Sequence, residues 1–240
     1  MDRLPNNYKI FKVKTCDSTM DLCADLMDRN GFSEESCLVL AESQTNGRGR
    51  RGRSWKSDVG NLYLSLGFEC PNKKDISQLS FVAALAAGKS VVSFNKDMKL
   101  AYKWPNDLFV EDKKIGGILI ETKDQKVIIG FGLNILTAPS LAGYDATSMK
   151  DHGVEITPED FIKTFIPNFD LYKAQWMQEG FENIRKEWTS WAWKLNDYIN
   201  VKDGQGRLFK GFFKGIDSKG GLIIQQADKE EVLYSAQIVR

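Results

Sequence analysis

Apolar and polar residues alternate from Ile10 to Thr15, which predicts a half-buried strand. The spacing then becomes helical. A helix is predicted from about Met20 to Arg29, with Ser18 and Asp21 as its capping box and Gly31 as its stop signal. Cys37 to Ala41 is a continuous apolar run of strand length, and Asn61 to Phe68 reads as another strand. Between them, Glu42 to Trp55 follows neither period. Ser77 to Phe94 has helical spacing around the small residues Ala83 to Gly88, which would let a helix pack closely on a sheet.

Pro105 holds Trp104 out of the helical region, and Asn106 and Asp107 are turn formers, so a strand from Leu100 is expected to end there in a tight turn. Leu108 to Val110 is expected to pair with Ile115 to Thr122 across the turn Glu111 to Lys114, which puts Lys114 at the mouth of a strand containing Gly116 and Gly117. Paired glycines weaken a strand, so they point to close approach by a backbone or a ligand. One more strand, with glycines at 130 and 132, is expected from Gln125 to Leu136, and Thr137 to Val154 reads as loop. Thr157-Pro158-Glu159-Asp160 opens a helical region running to about Trp193. From Tyr198 to Arg240, short alternating segments separated by turn residues give the pattern of a small all-β barrel. The division implied is 1–194 for a first domain and 195–240 for a second.

The irregular stretch carries the chemistry. Gly47, Gly49 and Gly52 let backbone N–H groups approach a ligand, and Arg48, Arg50, Arg51 and Arg53 offer forked donors for carboxylate or phosphate. Four like charges so close repel one another, so the loop is expected to order on binding an anion. Gly47-x-Gly49-x-x-Gly52 also matches the dinucleotide fingerprint, but that motif needs a helix at its end, and Arg53 to Asn61 has loop composition.

With 33 basic and 32 acidic side chains the formal charge is only +1, which argues against a general nucleic-acid surface and makes the arginines a local feature. A basic loop touching nucleic acid remains the alternative class. Cys16, Cys23, Cys37 and Cys70 show no CxxC pairing and suit reduced thiols rather than a disulfide or zinc framework. The lone histidine, His152, lies in a loop and reads as a bystander. No apolar leader begins the chain, and no stretch is read as approaching the ~18 apolar residues of a membrane span, so a cytoplasmic protein is expected.

Four segments in order resemble the biotin protein ligase family: Asp17-Ser18-Thr19, Gln44 with GRGRRGRSW (47–55), Lys103-Trp104-Pro105-Asn106-Asp107, and Lys113-Lys114-Ile115-Gly116-Gly117-Ile118-Leu119-Ile120-Glu121. The resemblance implies an α+β fold: a mixed sheet flanked by helices, of the class II synthetase-like kind, with a small C-terminal SH3-like β-barrel. It implies ATP and biotin as substrates, with Mg2+ on the ATP, and a biotin carboxyl carrier protein domain as partner. Neither nucleic acid nor membrane is implied, and monomer and homodimer stay open.

By the same resemblance, Ser18, Thr19 and Gln44 hold the biotin ring system, and Gly47, Arg48, Gly49 and Arg50 close over its carboxylate and the adenylate phosphate. Lys114 sits on the carboxylate and phosphoryl oxygens, Arg53 joins the ATP contacts, and Trp55 covers the adenine with Gly117, also counted among the biotin contacts, and Asn134 nearby. Lys114, Arg50 and Asp107 are the catalytic candidates, Asp107 to receive or orient the carrier lysine. Met20 stands where a polar residue is expected after Ser-Thr. Relatives that double as repressors carry a DNA-binding domain ahead of the first ligase strand; that strand begins near Ile10 here, so a ligase without repressor function is expected. The sister activity, lipoate-protein ligase, is the alternative enzyme.

Overall fold

The computed structural model describes residues 7–30, 36–70, 75–139, 145–227 and 229–239; the expected helix stop, Gly31, lies outside them. Strand β1 (Tyr8–Cys16) leads into helix α1 (Thr19–Asn30) and strand β2 (Ser36–Gln44). After the arginine loop come β3 (Leu62–Glu69), α2 (Leu79–Phe94), β4 (Leu100–Lys103), β5 (Asp107–Val110), β6 (Lys113–Lys123) and β7 (Lys126–Leu133). They form a seven-stranded sheet in the order β1-β2-β3-β7-β6-β5-β4. β1 and β2 run parallel and the other pairs antiparallel, which gives the expected mixed sheet.

Helix α2 and α3 (Pro158–Glu179) cover one face, where Leu64, Leu66, Phe131, Phe161 and Phe165 make the main core. Helix α1 covers part of the other face through Met20, Cys23 and Met27 against Cys37, Val39 and Ile128. The rest of that face is left to the arginine loop. Contrary to the sequence expectation, Ile76–Phe94 is long and apolar enough to cross a membrane, but 72% of it is buried inside the protein, where it is the core helix.

Several local expectations change. Asp21 does not close a capping box on α1; both its oxygens accept from the Arg48 guanidinium, a charged donor stronger than a backbone N–H. Ser18 Oγ accepts from the Met20 N–H at 3.3 Å. The β5–β6 turn is only two residues, Glu111 (φ 50°) and Asp112 (φ 64°), the pair of positive φ values that matches strand twist, so Lys113 and Lys114 already belong to β6. The predicted helical region divides at Gly180 (φ 79°) into α3 and α4 (Glu182–Ser190). A capping box forms at Thr157 and Asp160 instead, with Pro158 in the first turn.

Strands β8 (Tyr198–Asp203), β9 (Leu208–Ile216), β10 (Leu222–Gln226), β11 (Lys229–Leu233) and β12 (Ala236–Val239) form an antiparallel sheet in the order β11-β10-β9-β8-β12. The expected barrel is not closed: among the described residues β11 and β12 do not pair with each other. The two-residue link Tyr234-Ser235 carries the chain from one edge strand to the other, so the sheet curls around Val201, Phe213, Ile224 and Ile238 without a final ladder.

This second sheet is tied to the first unit through α4, where Arg185 Nη1 donates to the Ile216 carbonyl at 3.1 Å, and at a turn close to the segment that carries Asp107. Trp104 Nε1, from the segment before Asp107, donates to the Gly220 carbonyl at 2.9 Å, and Gln78 Nε2 donates to the Ser218 carbonyl. Gly220 has φ +85°, and a Cβ there would lie 2.5 Å from the Phe81 ring. Gly220→Ala is therefore expected to destabilise the fold by about 2 kcal/mol, read as a lowered thermal midpoint. An unchanged midpoint would show that this turn is not held against Phe81.

Candidate active site

β6 and β7 pair with Gly117 opposite Gly132 and Leu119 opposite Gly130, leaving bare backbone at the three glycines on the part of the α1 face that the helix leaves open. A cavity of 380 Å³ opens above it. Ser18, Thr19 and Met20 at the start of α1 form one wall with Gln44 at the end of β2; Arg48 to Arg50 and Arg53 to Trp55 roof it, and Asn106, Asp107 and Lys114 close the far end. Met20 leans over Gly130, where a Cβ would meet its sulfur at 2.6 Å.

A relay of buried hydrogen bonds fixes the first wall. Ser65 Oγ donates to Thr19 Oγ1 at 2.8 Å, and Gln44 Oε1 accepts from the Thr19 N–H at 2.8 Å and from Thr19 Oγ1 at 3.1 Å. With its oxygen held there, the Gln44 amide turns its nitrogen to Ser57 Oγ at 3.2 Å. Tyr63 donates to the Asp58 carbonyl, and burial pushes its phenol up to about 12. The wall is thus apolar in bulk, with a few oriented polar atoms, the usual make-up of a small-molecule site.

Charge is concentrated at the far end. The β5–β6 register brings Asp107 opposite Gly117, and Lys114 Nζ meets Asp107 Oδ1 at 2.7 Å with the side chains 17% and 23% exposed. The same Nζ lies 5.2 Å from the Trp55 ring centre. The indole rests on the glycine floor, its Nε1 buried without a hydrogen-bond partner; a Cβ on Gly132 would come within 2.6 Å of it. Arg50 Nη1 makes a long 3.4 Å contact with Asn106 Oδ1, and burial, then the nearby Arg51, pushes the Arg50 guanidinium below its ordinary value. Asn106 is itself fixed to Ile118, whose carbonyl it caps and whose N–H it receives.

Ser18, Thr19, Gln44, Arg48, Gly49, Arg50, Arg53, Trp55, Asp107, Lys114 and Gly117 all line this one cavity. Gly47 and Asn134 do not. Gly47 lies under the loop, where a Cβ would meet the Trp55 carbonyl at 2.7 Å. Asn134 serves the scaffold: its Nδ2 donates to the Thr147 carbonyl, and its N–H to that of Ile115. Sequence reasoning missed Ser65 and Ser57 in the relay and Glu121 as a partner of Arg48; the alternation 117, 119, 121 along β6 could have placed Glu121 on the cavity face. Arg48 does not act as one of four unpaired cations in the loop, since Asp21 and Glu121 neutralise it from within the protein. Among the described residues no three His, Cys, Asp or Glu side chains group to hold a metal, and Asp107 is the one carboxylate lining the cavity.

A mixed sheet with an arginine loop over a small cavity that has a basic end is suited to a small anionic ligand. Residues 13–134 match the biotin/lipoate A/B protein ligase family, and residues 195–240 match the biotin protein ligase C terminal domain. The chain is 33% identical over 217 residues to a biotin–[acetyl-CoA-carboxylase] ligase of Paracoccus denitrificans, covering 85% of this chain and 90% of that one. The fold superimposes on a biotin protein ligase of Aquifex aeolicus in complex with biotin and ATP (TM-score 0.83, 23% identity, 95% and 97% of the two chains). It also matches one of Leishmania major in complex with biotinyl-5-AMP (TM-score 0.69, 27% identity, 97% and 100%). The chain belongs to the biotin/lipoate A/B protein ligase family.

The contact between Trp55 and Gly132 can be tested directly. Gly132→Ala is expected to lift the indole from its floor, so the Trp55 indole N–H signal, assigned by its loss in Trp55→Phe, should shift and exchange faster with solvent. An unmoved signal would mean that Trp55 does not rest there.

Proposed function

We propose that this chain is a biotin–[biotin carboxyl carrier protein] ligase, which activates biotin with ATP and transfers it to a carrier lysine. The observation that carries the reading is one cavity in which a relay able to orient a neutral ring system (Thr19, Gln44, Ser65) lies beside a basic end (Arg50, Lys114). In the first step a biotin carboxylate oxygen attacks the α-phosphorus of ATP, the bond to the β-phosphate breaks, and pyrophosphate leaves. Two anions must be held together, so positioning and fixed positive charge supply most of the rate. Mg2+ on the ATP would neutralise the departing pyrophosphate.

Ser18, Thr19 and Gln44 hold the biotin rings in this reading, and Met20 gives that wall an apolar edge. Lys114 and Arg50 take the carboxylate and phosphoryl charge, with Arg53 near the phosphates and the Gly49 backbone against the carboxylate. Trp55, Gly117 and Gly132 form the adenine surface. Lys114 exchanges its Asp107 partner for the substrate oxygens, which frees Asp107. In the second step the carrier lysine amine attacks the acyl carbon, the bond to the adenylate oxygen breaks, AMP leaves, and Asp107 receives or orients the amine proton. The partner is a biotin carboxyl carrier domain.

Labelled pyrophosphate is expected to exchange into ATP with biotin and not with lipoate or without acid; exchange with lipoate alone would move the chain to the sister activity. Lys114→Ala is expected to lower that exchange on the order of a hundredfold or more, because it removes charge where charge develops. Near-normal exchange would take Lys114 out of the site. Arg50→Gly is expected to release the acyl adenylate and label bystander lysines, and unchanged selectivity for the carrier would count against Arg50 as its retainer.

A further inference from the structure

Arg48 is the most heavily engaged side chain around the cavity. Its Nε and Nη2 donate to the two oxygens of Glu121 at 2.9 and 2.8 Å, while Nη1 and Nη2 donate to those of Asp21 at 2.6 and 2.7 Å. A guanidinium has five N–H groups in a plane, so two forked carboxylates use nearly all of them and cancel the charge. Arg48 is thus poorly placed to serve as the cation that meets a phosphate. Arg50, one residue beyond Gly49, touches only the neutral Asn106 amide in this way.

The partners sit on different walls. Asp21 is in the first turn of α1, three residues after Ser18, where the helix dipole favours a carboxylate. Glu121 is on β6, on the face shared with Gly117 and Leu119. Arg48 therefore joins the helix that carries Thr19 to the strand that carries Lys114, with the loop between them. The loop's entry is anchored by Thr45 N–H to the Cys16 carbonyl and Asn46 N–H to the Asp17 carbonyl; beyond it, the backbone bonds Trp55 N–H to the Gly47 carbonyl and Gly49 N–H to the Arg53 carbonyl stay within the loop.

We propose that Asp21 and Glu121 hold Arg48 as a latch, so that these three are positioning residues that keep the glycine-arginine loop closed over the cavity and retain the acyl adenylate there. Retention of the adenylate rests on the ligase reading above; closure of the loop does not. The three side chains are 30 to 55% exposed, so each pair alone is modest and screened by salt, and the effect comes from two forked contacts on separate elements.

Two measurements on the full-length protein test this. The first is trypsin cleavage after Arg50, Arg51 and Arg53 with no ligand present, which reads loop opening alone. The second is the release half-life of biotinyl adenylate formed on the protein. Asp21→Asn and Glu121→Gln, both at exposed sites, are each expected to speed cleavage and release by about fivefold to tenfold, while exchange at saturating biotin and ATP changes little. In an Arg48→Met background the same two changes are expected to add nothing, which a role independent of Arg48 would not produce. Lys163→Gln, which removes a remote ion pair with Asp160, is expected to leave both readings at the wild-type value. Wild-type cleavage and release in both variants, or effects that persist in Arg48→Met, would overturn the latch. If the wild-type protein forms no adenylate but the variants are cut faster, the latch stands and the ligase reading falls.

Discussion

The cavity exists because no side chain can stand on the sheet between Gly117, Gly130 and Gly132. β6 and β7 are central strands buried on their other face by α2 and α3, so their backbone bonds are already made and the bare patch is stable. Any residue larger than glycine at 132 would meet the Trp55 indole, and at 130 the Met20 side chain. Removing three side chains from one face thus makes room for a ligand and for the two side chains that lean over it. Each glycine weakens its strand, and the packing beneath compensates.

Electrostatics then divide the arginine loop into two kinds of charge. Arg48 is neutralised by Asp21 and Glu121 and behaves as structure, while Arg50 has lost solvent without gaining a carboxylate of its own. The second arrangement is costly in the empty protein and favourable once an anion arrives. Lys114 lies between these cases. Asp107 satisfies it when the cavity holds no ligand, and an incoming carboxylate or phosphate can replace that partner.

Much of this was legible along the chain. The period-two runs located the strands, the glycines at 117, 130 and 132 marked the floor, and the dense arginines marked the roof. What sequence could not supply were contacts across large separations. Asp21 looked like a local cap because its use by Arg48 depends on α1 folding back beside the loop, and Ser65 looked like an ordinary strand residue until β3 brought it beneath Thr19. Asn134 shows a scaffold use that the resemblance does not carry: its amide nitrogen binds the Thr147 carbonyl and its N–H that of Ile115, outside the cavity lining. The five short strands of the C-terminal unit were legible too, but not their open edge, since alternation fixes which residues face inward and says nothing about whether the last two edges pair.

The C-terminal sheet has a physical connection to the site that passes through a single segment. Trp104 is buried against the turn at Gly220, and two residues later Asn106 and Asp107 enter the cavity. Asn106 is bonded in both directions to Ile118, the residue after Gly117 in β6, so the turn cannot shift without moving the strand. Phe81 of α2 packs on Gly220 from the other side, which joins the core helix, the second sheet and the Asp107 turn in one contact group. Asp107 must stay within 2.7 Å of Lys114 when the cavity is empty and still point inward when the ion pair opens, and a turn fixed from both sides meets that requirement where a free loop would not. The second sheet accordingly buttresses the turn that carries Asp107, even though none of its described residues lines the cavity.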